Sequence, residues 1–355
     1  MSTLIYIILA VLMFGIFIFI HEFGHYFFAR LFNVSITEFS IGMGKSIISK
    51  RSEKTGIKYS IGILPIGGYV AMVGENEESD DPNALSKKPA WQRFIIVVAG
   101  AVINIIFGVL LMLWLVSITA GKGIYTNQIY GYSENPSYEV TSNEYLKADD
   151  TIIKIGNKRT YNAYDVSYEI MRKGTSPIDV TVIRDGEKVV VEDVIFPTVN
   201  SDGTTFGSMD FIIKAKRATF GGIIAHTAQR SAMTVRMVWE SLFDLISGRY
   251  GIESVSGPVG ITETIVDATD VAVTTKDYSS LLYIAAIICI NLGVMNLMPL
   301  PALDGGRLFF ILIEIIFRRP VPSKIENAVH AAGMYLLLLF MLFISLKDVW
   351  KIFFR

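Results

Sequence analysis

Charged residues are missing from four long stretches of the chain, 1–20, 94–121, 278–303 and 327–346. In helical form, at 1.5 Å per residue, each is long enough to cross a hydrocarbon core about 30 Å thick. The pattern predicts four transmembrane helices, near 4–27, 95–119, 281–302 and 328–346. The first does not read as a cleaved signal peptide. No Lys or Arg precedes it, no small-residue cleavage site closes it, and it runs straight into His21-Glu22-Phe23-Gly24-His25.

The segments between these stretches have other periods. In the loop 30–93, residues 35–43, 46–50, 57–63 and 68–73 read as short strands, with Gly67-Gly68 after Pro65 as a turn. Tyr59 to Val73 is apolar apart from Ser60, which suggests a hairpin lying at the membrane. Non-helical backbone at that depth survives only when buried in protein or facing a water-filled cavity. In 121–280 the composition becomes ordinary for a soluble domain. Residues 151–156, 178–184 and 188–196 read as strands, with Asp185-Gly186 as a hairpin turn, and 164–172 fits a short helix. Residues 219–247 form an amphipathic helix: Val235, Val238, Trp239, Leu242, Leu245 and Ile246 recur at helical spacing, with Arg236, Glu240 and Asp244 off that stripe. Its apolar stripe is expected to pack on the membrane domain, in preference to lipid.

The predicted fold class is an α-helical polytopic membrane protein with four transmembrane helices. It carries a membrane-associated β-hairpin or small sheet and an inserted β-rich domain. The corresponding divisions are 1–120, a first membrane part with spans 1 and 2; 121–200, the β-rich domain; 201–280, a linker with the 219–247 helix; and 281–355, a second membrane part. Basic residues set the orientation. Nine lie between Arg30 and Arg93, and Arg307, Arg318, Arg319 and Lys324 follow the third span, so both loops read as cytoplasmic. The N-terminus and 121–280 then lie outside. Lys347, Lys351 and Arg355 in the tail run against this assignment, but two loops and the parity of four spans outweigh them.

Composition agrees with a bilayer as partner. Apolar residues make up 52% of the chain, charged residues 18%, and mean hydropathy is +0.46. Soluble domains carry about 25% charged residues, so a disordered chain is excluded and a plain soluble enzyme is disfavoured. A net charge of −1 gives no electrostatic case for nucleic acid. The single cysteine, Cys289, rules out an intrachain disulfide and a thiolate-rich metal site; in its apolar run it reads as a small packed hydrophobe.

Against this background the polar exceptions stand out. His21 and His25 lie four residues apart on one helix face, so both imidazoles can reach one Zn²⁺, and Glu22 beside them can accept a proton from water. Ionisable residues in an apolar helix are costly and mark function by default. A third ligand must come from elsewhere, and two carboxylates qualify. Asp304 is favoured, because it ends the third apolar run where Pro299, Pro301, Gly305 and Gly306 break the helix. Glu314 is equally well explained by an i,i+4 pair with Arg318. His226 and His330 read as ordinary helix residues. Asn291 and Asn296, in the third span, either bond between helices or hold substrate backbone. Asn104, in the second span, reads as structural.

These residues resemble the site-2 protease family of intramembrane zinc metalloproteases, in its bacterial branch with one extracytoplasmic PDZ domain. The resemblance rests on HEFGH at 21–25, GILPIGGYVAM at 62–72, VVAGAVINIIFG at 97–108, GPVGI at 257–261 and INLGVMNLMPLPALDGGR at 290–307. It implies zinc held by His21, His25 and Asp304, and Glu22 as general base. It also implies that Asn296 and the prolines after it, Pro299 and Pro301, position substrate. The stretch containing Gly67 and Gly68 resembles the family's hairpin that pairs with an unwound substrate strand. Two places depart from the family pattern. Ala101 stands where the family carries proline, and in the PDZ-like stretch 144–157 Asp149 replaces a glycine and Gly156-Asn157 reverses the usual turn order. The implied substrates are single-span membrane proteins, such as anti-sigma factors, or signal-peptide remnants, cut in a bacterial plasma membrane after a first extracytoplasmic cut. Two other readings fit fewer residues: a membrane-anchored zinc protease of soluble substrates, and a non-catalytic PDZ receptor.

Overall fold

The computed structural model describes residues 3–353 apart from 76, 78, 134–139, 202–203, 250–254 and 256; Arg355, counted above in the tail, lies outside them. The chain begins with α1 (Thr3–Leu31), followed by β1 (Ile36–Arg51), β2 (Lys58–Met72) and α2 (Ala90–Thr119). β1 and β2 are longer than the sequence suggests because each folds back on itself. Glu38, Phe39, Ser40 and Ile41 each pair with two residues, one near the start of β2 and one near its end. Two continuous strands therefore make the four short segments read from the sequence. The turn expected at Gly67-Gly68 lies inside β2: the partners of 38–41 rise from Lys58 to Ile61 on one side and fall from Ala71 to Gly68 on the other, so the strand reverses between Ile61 and Gly68. β2 runs through both residues, with Gly67 in the left-handed region at φ 74°, where a glycine meets no steric penalty. Val34, Ile36, Phe39, Ile57 and Val70 bury this sheet against Ala29 of α1 and Ile96 of α2.

Next come β3 (Ile124–Gly131), β4 (Thr151–Ile155), β5 (Lys158–Arg159), α3 (Ala163–Lys173), β6 (Ile178–Arg184), β7 (Glu187–Val194), β8 (Thr198–Ser201), β9 (Thr204–Gly207) and β10 (Ile212–Lys216). The sheet order is β10-β3-β4-β6-β7 with β5 paired to β4, and β8-β9 form a separate hairpin. Asp185 and Gly186, both at positive φ, close the β6–β7 hairpin as expected. The alternating residues Ile152, Val180, Val182 and Val194 bury one sheet face beneath Val166 and Ile170 of α3. The Asn162 side chain caps α3 by accepting from the amides of Tyr164 and Asp165.

α4 (Phe220–Ile246) has the expected length but buries the opposite face. Arg172 of α3 donates two hydrogen bonds to Asp244 (2.6 and 2.7 Å) and one to Glu240 (2.7 Å), while Lys158 pairs with Glu240 and Arg236 with Asp165 and Glu169. Bonded charges therefore take the inner side. Trp239, Phe243 and Ile246 remain exposed.

The chain then forms α5 (Pro258–Thr275), α6 (Ser279–Asn296), α7 (Asp304–Phe317) and α8 (Ser323–Phe353). Four helices are long and apolar enough to cross a membrane, at Leu4–Leu31, Ala90–Lys122, Ser279–Asn296 and Ser323–Trp350. The third stops at Asn296 and not near 302, since Pro299 and Pro301 carry no amide hydrogen to continue it. α5 is missing from the sequence reading because Glu263, Asp267 and Asp270 interrupt its apolar pattern. Its start is held by Asp348 of α8, whose Oδ2 accepts from the amides of Gly257 (2.8 Å) and Gly260 (3.1 Å), a carboxylate at a helix N-terminus.

The chain divides into two compact units, one made of Met1–Leu111 with Val255–Arg355 and the other of Met112–Ser254. The sequence boundaries fell at 120/121 and 280/281. α5, which contacts α1, α6 and α8, accounts for the second difference.

Candidate metal centre

His21 and His25, one turn apart on α1, direct their Nε2 atoms to within 3.2 Å of each other. Asp304, the first residue of α7, places Oδ2 3.0 Å from His21 Nε2 and 3.1 Å from His25 Nε2. Both histidines and Glu22 are buried. His25 Nδ1–H donates to the Ile96 carbonyl (2.8 Å), which fixes the tautomer that leaves Nε2 free to ligate.

Glycines make the closeness possible. Gly24 lies against Ala99 and Gly100, where a Cβ would approach backbone to 2.8 Å. At Gly100 the space for a Cβ is taken by the His25 ring, and at Gly305 by the Met298 carbonyl. Ala302 in the left-handed region, its amide donating to His330 Nδ1 (3.2 Å), turns the chain so that α7 begins at the histidines. β2 also reaches this place: a Cβ on Gly68 would meet Cγ of Glu22 at 2.9 Å.

The three facing atoms are two imidazole nitrogens and one carboxylate oxygen. They lie within 4.8 Å of one another, and no hydrogen-bond donor serves Asp304 Oδ2 among the described residues. Three electron-pair donors facing one another, away from water, need a cation between them. Two neutral imidazoles and a carboxylate are the donor set of a catalytic zinc with a position left open.

A family profile described as Peptidase family M50 matches residues 9–340. The chain belongs to peptidase family M50. Relatives extend over its whole length. A protein of Fusobacterium nucleatum is 33% identical over 98% of this chain and 99% of its own; one of Clostridium acetobutylicum is 32% identical over 97% of each. A third, from Rickettsia conorii, is 31% identical over 96% of this chain and 97% of its own. All three are provisionally named zinc metalloproteases. The M50 chain described here is a zinc metalloprotease with membrane-spanning helices, and zinc is its cofactor.

Of the candidates read from this M50 sequence, His21, Glu22, His25 and Asp304 come together. Glu314 does not join them. It pairs with Arg93 of α2 and not with Arg318, since Arg318 turns away at φ 55° where α7 ends. Asn296 closes α6, and Pro299 and Pro301 lie in the turn before Asp304, with Pro301 packed where a Gly333 side chain would stand. Asn291 is exposed on α6. His226 is buried beside Tyr164 of α3, ring centroids 5.9 Å apart. Sequence reasoning missed Gly24 and Gly100, which carry no chemistry to notice, although both sit inside the motif blocks. It also missed Glu75, which bonds the Met72 amide and pairs with Arg307, one turn past Asp304.

Proposed function

We propose that this protein hydrolyses peptide bonds within or near transmembrane segments of other membrane proteins. The observation carrying this reading is the position of the cluster within an apolar helix. His21 lies on α1 roughly 26 Å of helix beyond Leu4, in a helix apolar and long enough to span a bilayer. In this reading His21, His25 and Asp304 would hold the zinc, which would supply Lewis acidity for the scissile carbonyl and for the attacking water. Glu22 accepts a proton from the attacking water on its carboxylate and returns it to the departing amide nitrogen.

A transmembrane helix hides its carbonyls in hydrogen bonds one turn apart, so a substrate must unwind before it is cut. The β2 segment 68–72 supports strand pairing as the means. It pairs with β1 on one side, and Gly68 brings it against Glu22. A substrate strand added at such an edge would lie beside the general base. Asn296, Pro299 and Pro301, in the chain leading to Asp304, would help to position the substrate.

The preferred substrates are single-span proteins such as anti-sigma factors, or signal-peptide remnants, already shortened outside the cell. The β-rich domain, PDZ-like by its sequence resemblance, and α4 act as the size filter. The basic loops put the active site near the cytoplasmic face and this domain outside, in a bacterial plasma membrane. Lys347, whose position argued against that orientation, pairs with Asp348 at 3.3 Å and is partly neutralised. The test is Glu22→Gln in purified, lipid-reconstituted protein. It should keep one zinc per chain and leave a single-span substrate intact; full activity in this variant would overturn the reading.

A further inference from the structure

Asn104 lies within α2 and is fully buried, and neither its Oδ1 nor its Nδ2 has a hydrogen-bond partner. An unpaired amide in apolar surroundings is costly and calls for a partner. On α1, His21 Nδ1 is in the same condition, buried and unpartnered. Among the described residues these two side chains hold every orphaned buried atom on α1, α2 and α6.

The helix packing puts them at one level. His25 bonds the Ile96 carbonyl, Gly24 touches Ala99 and Gly100, and Phe17 shares a buried cluster with Phe107. Earlier residues of α1 thus lie beside later residues of α2, which brings His21 level with 100–104. Gly100 confirms the face, since a Cβ there would meet His21 Cε1 at 2.9 Å. Asn104 follows Gly100 by four residues and projects on the same side of α2. Cys289 of α6 donates to the Asn104 backbone carbonyl (3.2 Å) and holds that turn in place.

We infer that Asn104 is a positioning residue for the metal centre, its Oδ1 accepting from His21 Nδ1–H by a small rotamer adjustment or through one water. It would serve His21 as the Ile96 carbonyl serves His25, fixing the tautomer that presents Nε2. The inference rests on His21 being a zinc ligand.

The test measures zinc affinity of the full-length, detergent-solubilised protein by competition with a chelating indicator, alongside the thermal midpoint of the zinc-free protein. Asn104→Leu should weaken zinc binding about 10–100-fold, with a zinc-free midpoint equal to or above wild type. Asn104→Asp, which keeps an acceptor, should stay within a few-fold of wild type. Wild-type zinc affinity in Asn104→Leu would overturn the inference. So would equal losses in both variants with a lowered zinc-free midpoint, because a packing role alone gives that result. His21→Ala separates the two levels. If it binds zinc normally, the ligand assignment itself fails; if it loses zinc while Asn104→Leu does not, only the role of Asn104 fails.

Discussion

Where α4 meets α3, buried charges face opposite ones. Arg172 spans Asp244 and Glu240, Lys158 joins Glu240, and Arg236 reaches Asp165 and Glu169. At the histidines of α1 the arrangement is reversed, with two imidazole nitrogens and a carboxylate oxygen facing one another at 3.0–3.2 Å. Both groups are polar and withdrawn from water. The first is balanced in charge within the chain and ties a helix to a sheet domain. The second is complete only around a cation, so its chemistry is directed at something the chain does not itself supply. Burial of polar groups alone does not separate structure from function here; whether each faces an opposite charge within the chain does.

Substitutions should therefore divide along the same line. The largest effect is expected from Asp304→Ala, which removes the only carboxylate of the facing set. Zinc analysis and a cleavage assay should show both metal and activity lost, with the β domain still folded by circular dichroism. Arg172→Ala should do the converse. Breaking a buried pair takes from Asp244 its two-bonded partner and leaves Glu240 with Lys158 alone, at about 3–5 kcal/mol, read as a lower denaturation midpoint with zinc content unchanged. The Asp244 carboxyl, held below the usual carboxylate range by its hydrogen bonds to Arg172, should titrate closer to its normal value in that variant. Asn162→Ala, which removes the cap of α3, should cost about 1 kcal/mol by the same measurement.

The smallest effect concerns pH. Burial, with Arg230 nearby, lowers the His226 pKa from 6.5 to about 4. The folded chain thus keeps this ring neutral while the unfolded chain protonates it first. Its contribution to stability is complete above about pH 6.5 and is lost as pH falls towards 4. His226→Gln should flatten the fall in thermal midpoint between pH 7 and 5; an identical fall in both proteins would remove His226 as its source.

Much of the site was legible because its residues break an apolar pattern. His21, Glu22 and His25 interrupt a span at helical spacing, and Asp304 follows two prolines. The four spans were legible for the same reason, being uncharged over a bilayer's thickness. Features that depend on distant partners were not. What the polar side of α4 meets was not legible, because Arg172, which neutralises its acids, lies about seventy residues earlier. Glu314 was left between a ligand role and a pair with Arg318, its neighbour in sequence, whereas its partner is Arg93 on another helix. The turn before Gly68 was legible, but not that it sets Gly68 flat against Glu22, a contact no local turn rule contains. Gly100 was overlooked because its role is to be absent, leaving room for the His25 ring.

The central claim, that Glu22 cuts peptide bonds at membrane depth, is tested most directly by locating the cut. Wild-type protein and Glu22→Gln are reconstituted with a single-span substrate whose outer domain has been trimmed, and the new termini are identified by mass spectrometry. The expected result is one pair of termini inside the substrate's apolar segment, present with wild type and missing with Glu22→Gln. Termini confined to the substrate's soluble regions, or the same termini with both proteins, would contradict it.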